Sequence, residues 1–134
     1  MADSLDLRIV TPEREMVHEQ ASEVQIPGKD GYLGVLPGHA PLLGELGIGF
    51  LIYTVANGRR YMAVHAGFIE IINNHVRVLA DAAERAEEID VERARAAQKR
   101  AMEQVINPGP DAAVALAALM RAETRINLAQ QQNR

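Results

Sequence analysis

Residues 49–79, GFLIYTVANGRRYMAVHAGFIEIINNHVRVL, hold the pattern that decides the fold. Gly49 to Val55 is apolar, with β-branched and aromatic residues that suit a pleated, half-buried surface. Asn57-Gly58 follows, a pair that supplies the two positive-φ positions of a type I′ hairpin turn. Arg60 to Val64 returns, and Gly67 to Ile72 continues. Asn73-Asn74 makes a second tight turn into His75 to Leu79. Upstream the same rhythm holds. Leu5, Leu7 and Ile9 alternate with Asp6, Arg8 and Val10 until Thr11-Pro12 stops the run. Glu15 to Ile26 forms one stretch closed by Pro27-Gly28, and Tyr32 to Leu36 is a short one closed by Pro37-Gly38. Many short strands spaced by Gly, Pro and Asn turns predict an antiparallel sandwich or barrel. About 85 residues suffice for one such core.

The composition breaks near Arg85–Glu88. All five aromatics and nine of the ten glycines lie before residue 70. From Glu87 onward there are eleven alanines and no aromatic residue. The two parts are therefore read as residues 1–86, a β-domain, and residues 87–134, a helical tail. Asp90 is a good N-cap for a helix from Val91 to about Ile106. Asn107-Pro108-Gly109-Pro110 ends it, because proline lacks the amide donor and clashes with the preceding turn. Asp111 caps a second helix to about Gln130, which makes an antiparallel hairpin. The expected seam is Val91, Ala94, Gln98, Ala101, Met102 and Val105 against Ala112, Leu116, Leu119, Met120, Ile126 and Leu128. An alanine methyl contributes roughly 0.8 kcal/mol on burial, against about 1.5–3 for Leu or Ile. Alanine-rich helices persist, yet pair weakly. That suits a part able to detach and re-dock, and equally a solvated appendage.

Composition excludes much. Apolar residues make up 48% and charged residues 24%, which places the chain among globular proteins. There is no cysteine, hence no disulfide, zinc–thiolate or iron–sulfur site. Met1-Ala2-Asp3-Ser4-Leu5-Asp6 carries acids where a secretory signal needs a basic region and an apolar core. A net charge of −4 argues against nucleic acid as a partner. The serines, Ser4 and Ser22, sit in no nucleophile elbow. His18, His39, His65 and His75 are scattered without ligand spacing, so ordinary surface or core roles outweigh a metal site. Gly28-Lys29-Asp30-Gly31 and Gly47-Ile48-Gly49 lack phosphate-loop and dinucleotide spacing and read as turns. No catalytic constellation emerges.

The informative segment is Pro27 to Leu43, two tight turns around a short apolar strand, ending in the proline-stiffened loop Ala40-Pro41-Leu42-Leu43. It is either a packed β-corner or an adhesive patch for a partner. Its run G-x-x-G-x-L-G-V-L-P-G-H-A-P-L-L, from Gly28 to Leu43, strongly resembles the signature of the epsilon subunit of bacterial F-type ATP synthase, called delta in mitochondria. His65-Ala66-Gly67-Phe68-Ile69-Glu70 resembles that family's G-G-[FI]-x-E strand. Val76 to Glu84 resembles its final strand and exit, and Ile89-Asp90-Val91-Glu92-Arg93-Ala94 its I/L-D-x-x-R-A motif.

The resemblance implies an N-terminal antiparallel β-sandwich of about ten strands followed by a C-terminal α-helical hairpin. It implies a noncatalytic central-stalk subunit, peripheral on the cytoplasmic face of the bacterial plasma membrane, that helps couple proton flow to ATP synthesis. The implied partners are the gamma subunit and the ring of c subunits. The alpha/beta catalytic head joins them when the hairpin extends and inhibits ATP hydrolysis. His39, Ala40, Pro41, Leu42 and Leu43 fall in the contact-bearing region. Lys29, Asp30 and Tyr32 fall in the turn expected to meet the c ring, with Tyr32 where relatives often carry an acid. No cofactor is required. In some members the folded hairpin binds ATP, and the matching positions here are Ile89, Asp90, Arg93 and Ala94. Arg100, Arg121 and Arg125 are further candidates, and Glu84 approaches from the domain exit. Guanidinium forks suit phosphate oxygens, while Asp90 serves equally as a plain helix cap. The residues alone also leave open a small β-sandwich that binds a metal or ligand and carries a helical adaptor tail.

Overall fold

The computed structural model describes residues 4–132. Met1–Asp3, part of the acidic start, lie outside them. Seven strands come first: β1 (Leu5–Val10), β2 (Glu15–Ala21), β3 (Glu23–Gly28), β4 (Gly31–Val35), β5 (Leu42–Val55), β6 (Gly58–Ile72) and β7 (His75–Glu84). A single 3₁₀ turn, Ala86–Glu88, leads to α1 (Val91–Ile106) and α2 (Ala112–Gln132). The strands form one hydrogen-bonded sheet in the order β2-β1-β7-β6-β5-β3-β4.

The sheet folds over on itself into a sandwich. β2 touches β5, although three strands separate them in the sheet order. Across that closure Tyr53 of β5 meets Glu19 of β2. Burial first, and then the Glu19 carboxylate, push the Tyr53 phenol up to about 12. Leu5, Leu7 and Ile9 on one layer share a core with Val24, Ile26, Leu51 and Tyr53 on the other. β1 and the first part of β7 alternate inward and outward residues, as their sequences do, while β2 and β6 bury adjacent residues where the sheet bends.

Sandwich and hairpin are as expected, with instructive differences. The strands number seven rather than about ten, because β5 and β6 are long, at 14 and 15 residues. Gly49–Val55 is only the second half of β5, which starts at Leu42, so Leu42-Leu43 is strand and not loop. Arg60–Val64 and Gly67–Ile72 are one strand kinked at Ala66 and Gly67, whose φ angles are 61° and 133°. Conversely, Glu15–Ile26 is two strands. The chain crosses between sandwich layers at Ser22, whose amide donates to the Thr54 carbonyl. One pairing, β1 with β7, is parallel in an otherwise antiparallel sheet. Asn73-Asn74 has positive φ at both positions, as a type I′ turn requires. The other hairpin differs: Val55 pairs with Gly58, so Ala56 and Asn57 make the turn, and only Gly58 has positive φ.

The hairpin seam also differs. Ala94 and Ala101 of α1 are buried, as are Ala115, Leu119, Ala122, Ile126, Leu128 and Ala129 of α2. Met102, Leu116 and Met120, read as seam residues, are exposed. Positions 115, 119, 122, 126 and 129 keep the 4-3-4-3 spacing of a helix–helix seam. Alanines hold three of these five inward positions and Leu119 and Ile126 the other two, while Leu116 and Met120 on neighbouring positions are turned out. α2 is the helix that lies over β5 and β6.

Candidate functional site

Two regions gather the residues that the sequence singles out. The first is built on the Pro27–Leu43 segment. Lys29 reaches across to β5, its Nζ 3.0 Å from Glu45 Oε2 and its amide donating to the Glu45 carbonyl. Lys29, Asp30 and Tyr32 share with Leu42, Leu43 and Glu45 an open hollow of about 440 Å³. Tyr32 is 62% exposed, and its hydroxyl accepts from the Phe50 amide at 3.3 Å. Pro37–Pro41 is held from behind: the Gly38 amide donates to Asn74 Oδ1 at 2.7 Å, and His39 Nδ1 lies 2.7 Å from the Ala40 carbonyl oxygen. The structure thus joins the turn to Leu42 and Leu43, and separates those two from each other. Leu42 packs against the core, while Leu43 is 82% exposed.

Leu43 has company that sequence reading missed. Cross-strand register puts Leu43 opposite Glu70, Glu45 opposite Phe68, and Phe68 opposite Leu79. Directly opposed residues share a sheet face. Leu43, Phe68, Ile72 and Leu79 therefore lie on one outer face, all exposed, with Phe68 at 63%. The signal is in the sequence: they are apolar residues on the solvent parity, beside buried Ile69, Ile71 and Val78. Pro41, Leu42, Leu43, Glu70, Ile71 and Ile72 line a further open hollow of about 430 Å³ at the edge of this face.

The second region is the hairpin root. The Asp90 side chain accepts from the Arg93 amide at 3.1 Å, so it caps α1. Ala94 is buried in the helix seam, and Arg93 and Arg100 are exposed on the outer helix. Arg121 and Arg125 are half-buried on α2. Arg125 Nε donates to Glu84 Oε1 at 2.6 Å, and the same oxygen lies 3.1 Å from His65 Nε2. The His65 bond most strongly, and then Arg125, hold the Glu84 carboxyl below its usual value against the opposing effect of burial. The structure thus brings Glu84 and Arg125 together, while Arg93 and Arg100 share an outer face.

The other histidines are also engaged by protein groups. Asp6 takes His18 on one oxygen, at 3.0 Å, and His75 on the other, at 3.1 Å. Burial would raise the Asp6 carboxyl, but the bonds from His75 and His18 outweigh it. Among the described residues no group of three or more His, Asp or Glu side chains is placed to hold a metal ion. No described helix is long and apolar enough to cross a membrane.

A sandwich whose outer face carries exposed Leu43, Phe68, Ile72 and Leu79 around the Glu70–Arg77 ion pair, with a helical hairpin docked on it, defines a two-module protein. Comparison with known proteins makes the assignment specific. Residues 4–86 match the family model for the ATP synthase delta/epsilon chain, beta-sandwich domain, and residues 87–130 that for its long alpha-helix domain. The ATP synthase epsilon chain of Solibacter usitatus is 60% identical over 128 residues, covering 94% of this chain and 96% of its own. That of Koribacter versatilis is 50% identical over 111 residues, covering 83% and 78%. A chain in the cryo-EM structure of Euglena gracilis mitochondrial ATP synthase, OSCP/F1/c-ring, has the same fold, with a TM-score of 0.83 at 22% identity, covering 97% of this chain and 83% of that one. A chain of the Tetrahymena thermophila mitochondrial ATP synthase central stalk aligns with a TM-score of 0.57 at 15% identity, covering 97% and 96%. The chain belongs to the ATP synthase epsilon family, as a subunit of the F-type complex that is not itself catalytic.

Proposed function

We propose that this chain works in the central stalk, bridging the gamma subunit and the ring of c subunits, and so helps couple ion flow to ATP synthesis. The observation that carries this is the outer sheet face of Leu43, Phe68, Ile72 and Leu79, exposed beside the braced Pro37–Pro41 loop. Large apolar residues exposed together on one face, here around the Glu70–Arg77 ion pair, mark contact surfaces, and a close-packed sandwich is stiff enough to carry torque. Gamma is the partner assigned to this apolar face. The polar tip at Lys29, Asp30 and Tyr32 is assigned to the c ring. In this reading the chain is peripheral, on the cytoplasmic face of a bacterial membrane.

The hairpin is the regulatory part. Docked on β5 and β6 it is inactive, and extended toward the alpha/beta head it inhibits ATP hydrolysis. The α1 side supports this, since among the described residues the only ones that helix buries are Ala94 and Ala101, which hold it with little apolar area. ATP is its proposed regulatory ligand, held by Arg93, Arg100, Arg121 and Arg125 and favouring the docked state. A ligand shifts such an equilibrium only by its differential affinity for the two states.

Reconstitution of the complex tests the reading. Leu43→Asp leaves the isolated chain as stable as wild type within about 0.5 kcal/mol, because the site is exposed, yet weakens binding to gamma at least tenfold. Leu42→Asp unfolds the sandwich edge instead. Unchanged gamma binding by Leu43→Asp and Phe68→Asp would remove this face from the interface. In the same assay, millimolar ATP without effect on wild type and Arg93→Ala alike would remove the nucleotide role.

A further inference from the structure

The segment that joins sandwich to hairpin is fastened to the sandwich. The Arg85 guanidinium donates to the Met16 carbonyl of β2, and Arg14, in the β1–β2 turn, pairs with Glu88. Glu88 Oε1 also accepts from the Arg85 amide at 2.9 Å, and the Glu88 amide donates to the Arg85 carbonyl. Residues 85–88 therefore move with the β-domain. Asp90 already belongs to the hairpin as the cap of α1. Between the two stands Ile89, in extended backbone with φ −87° and ψ 124°. Extended backbone between two tied turns is where a rigid-body swing is absorbed.

At the far side of that pivot, one carboxylate oxygen joins three elements. Glu84 Oε1, at the end of β7, receives His65 Nε2 from β6 and Arg125 Nε from α2. Among the described residues this is the one side-chain hydrogen bond or ion pair between residues 4–88 and either helix of the hairpin. His65 is 3% exposed, and its Nδ1 has no partner, so Glu84 supplies the ring's polar contact. That pins the carboxylate on the sandwich side whether or not Arg125 is present.

We propose that Glu84, preset by His65, is the catch that holds the hairpin docked through Arg125, and that release is a swing about Ile89 that leaves residues 85–88 in place. This rests on the reading that the hairpin leaves the sandwich, and adds what holds it and where it turns. A half-buried ion pair contributes little net stability but is costly to break from one side, so it selects one docked arrangement over its neighbours. The remaining contacts of α2 with β5 and β6 are not directional.

The full chain has no cysteine, so labels can be placed at will. Spin labels at Arg59→Cys, on the sandwich, and Glu103→Cys, on α1, report docking as a distance distribution. Arg125→Gln leaves His65 and Glu84 paired, so the sandwich stays intact. Glu84→Gln keeps an acceptor for His65 and removes only the charge. Each variant is expected to enlarge the long-distance fraction at least fivefold. Arg125→Lys falls between, and Glu84→Gln/Arg125→Gln opens no further than either single change. Hydrogen exchange at the Glu88 and Ile89 amides stays as slow as in wild type. If wild type has a long-distance fraction and the single variants leave it unchanged, the catch is wrong and the mobile hairpin stands. If no variant and no wild-type sample, with or without gamma, has such a fraction, both readings fall. Loss of protection at Glu88 in the opened variants would overturn the pivot.

Discussion

Gly67 shows how one residue fixes the shape of a whole strand. It has φ of +133°, and a Cβ there would stand 2.0 Å from the Leu79 carbonyl oxygen. Backbone strain and steric overlap therefore act together, and neither is relieved by a side-chain movement, since the obstacle is main chain. Ala66 beside it also has positive φ, so β6 turns a corner between its pairing with Ile48 and its pairing with Leu46. The corner lets a single strand serve both parts of the sandwich. Gly67→Ala is expected to cost at least about 2 kcal/mol. Urea unfolding checks this: the midpoint falls while the slope stays constant, and an unchanged midpoint would mean the corner relaxes freely. Phe68, next along, is pushed to the outer face by the same corner and becomes part of the apolar strip.

Elements were legible where local chemistry is decisive. The Asn73-Asn74 turn, the Asp90 cap and the Pro108–Pro110 break each depend on a few adjacent residues, and each formed as read. Strand lengths were not legible. Proline and glycine near Leu42 signal a loop, but pairing of Leu42 with Ile71, far along the chain, extends the strand over it. In the hairpin seam Ala94, Ala101, Leu119, Ile126 and Leu128 are buried as expected, while Met102, Leu116 and Met120 are exposed and Ala115, Ala122 and Ala129 are buried in their stead, because close approach of two helices favours alanine. The Glu84–His65–Arg125 cluster joins positions far apart in the chain, which spacing alone cannot bring together. Its acid–base behaviour follows from geometry. Glu84 and Glu88 both sit below the ordinary carboxylate value of 4.5 in the folded chain, Glu84 mainly through His65 and Glu88 mainly through the Arg85 amide. A lowered folded value means stability that is complete above the unfolded value and lost as pH falls through the folded one. Unfolding free energy should therefore decline from pH 5 to pH 3. In Glu84→Gln/Glu88→Gln the decline should be shallower, and parallel curves would show that neither carboxylate contributes.

At the scale of the molecule, the β-domain core contains no hairpin residue. A chain ending at Glu88 keeps that core, and also keeps the ion pair of Glu88 with Arg14. It should fold cooperatively, bind gamma as wild type does, and leave ATP hydrolysis by the assembled complex faster than the full chain does. Equal hydrolysis rates would confine the chain to coupling. The parallel pairing of β1 with β7 bears on something else, the order of events during synthesis. Leu7 pairs with Val76, so the first strand finds its inner neighbour only when the last strand of the domain exists. Until then β1 has only β2 beside it, and two strands alone are marginal in water. Closing so wide a gap in sequence is slow compared with forming local turns. Closure of β1 on β7 is therefore a late event of folding, and until it occurs the exposed edge of β1 is the feature a chaperone would meet first.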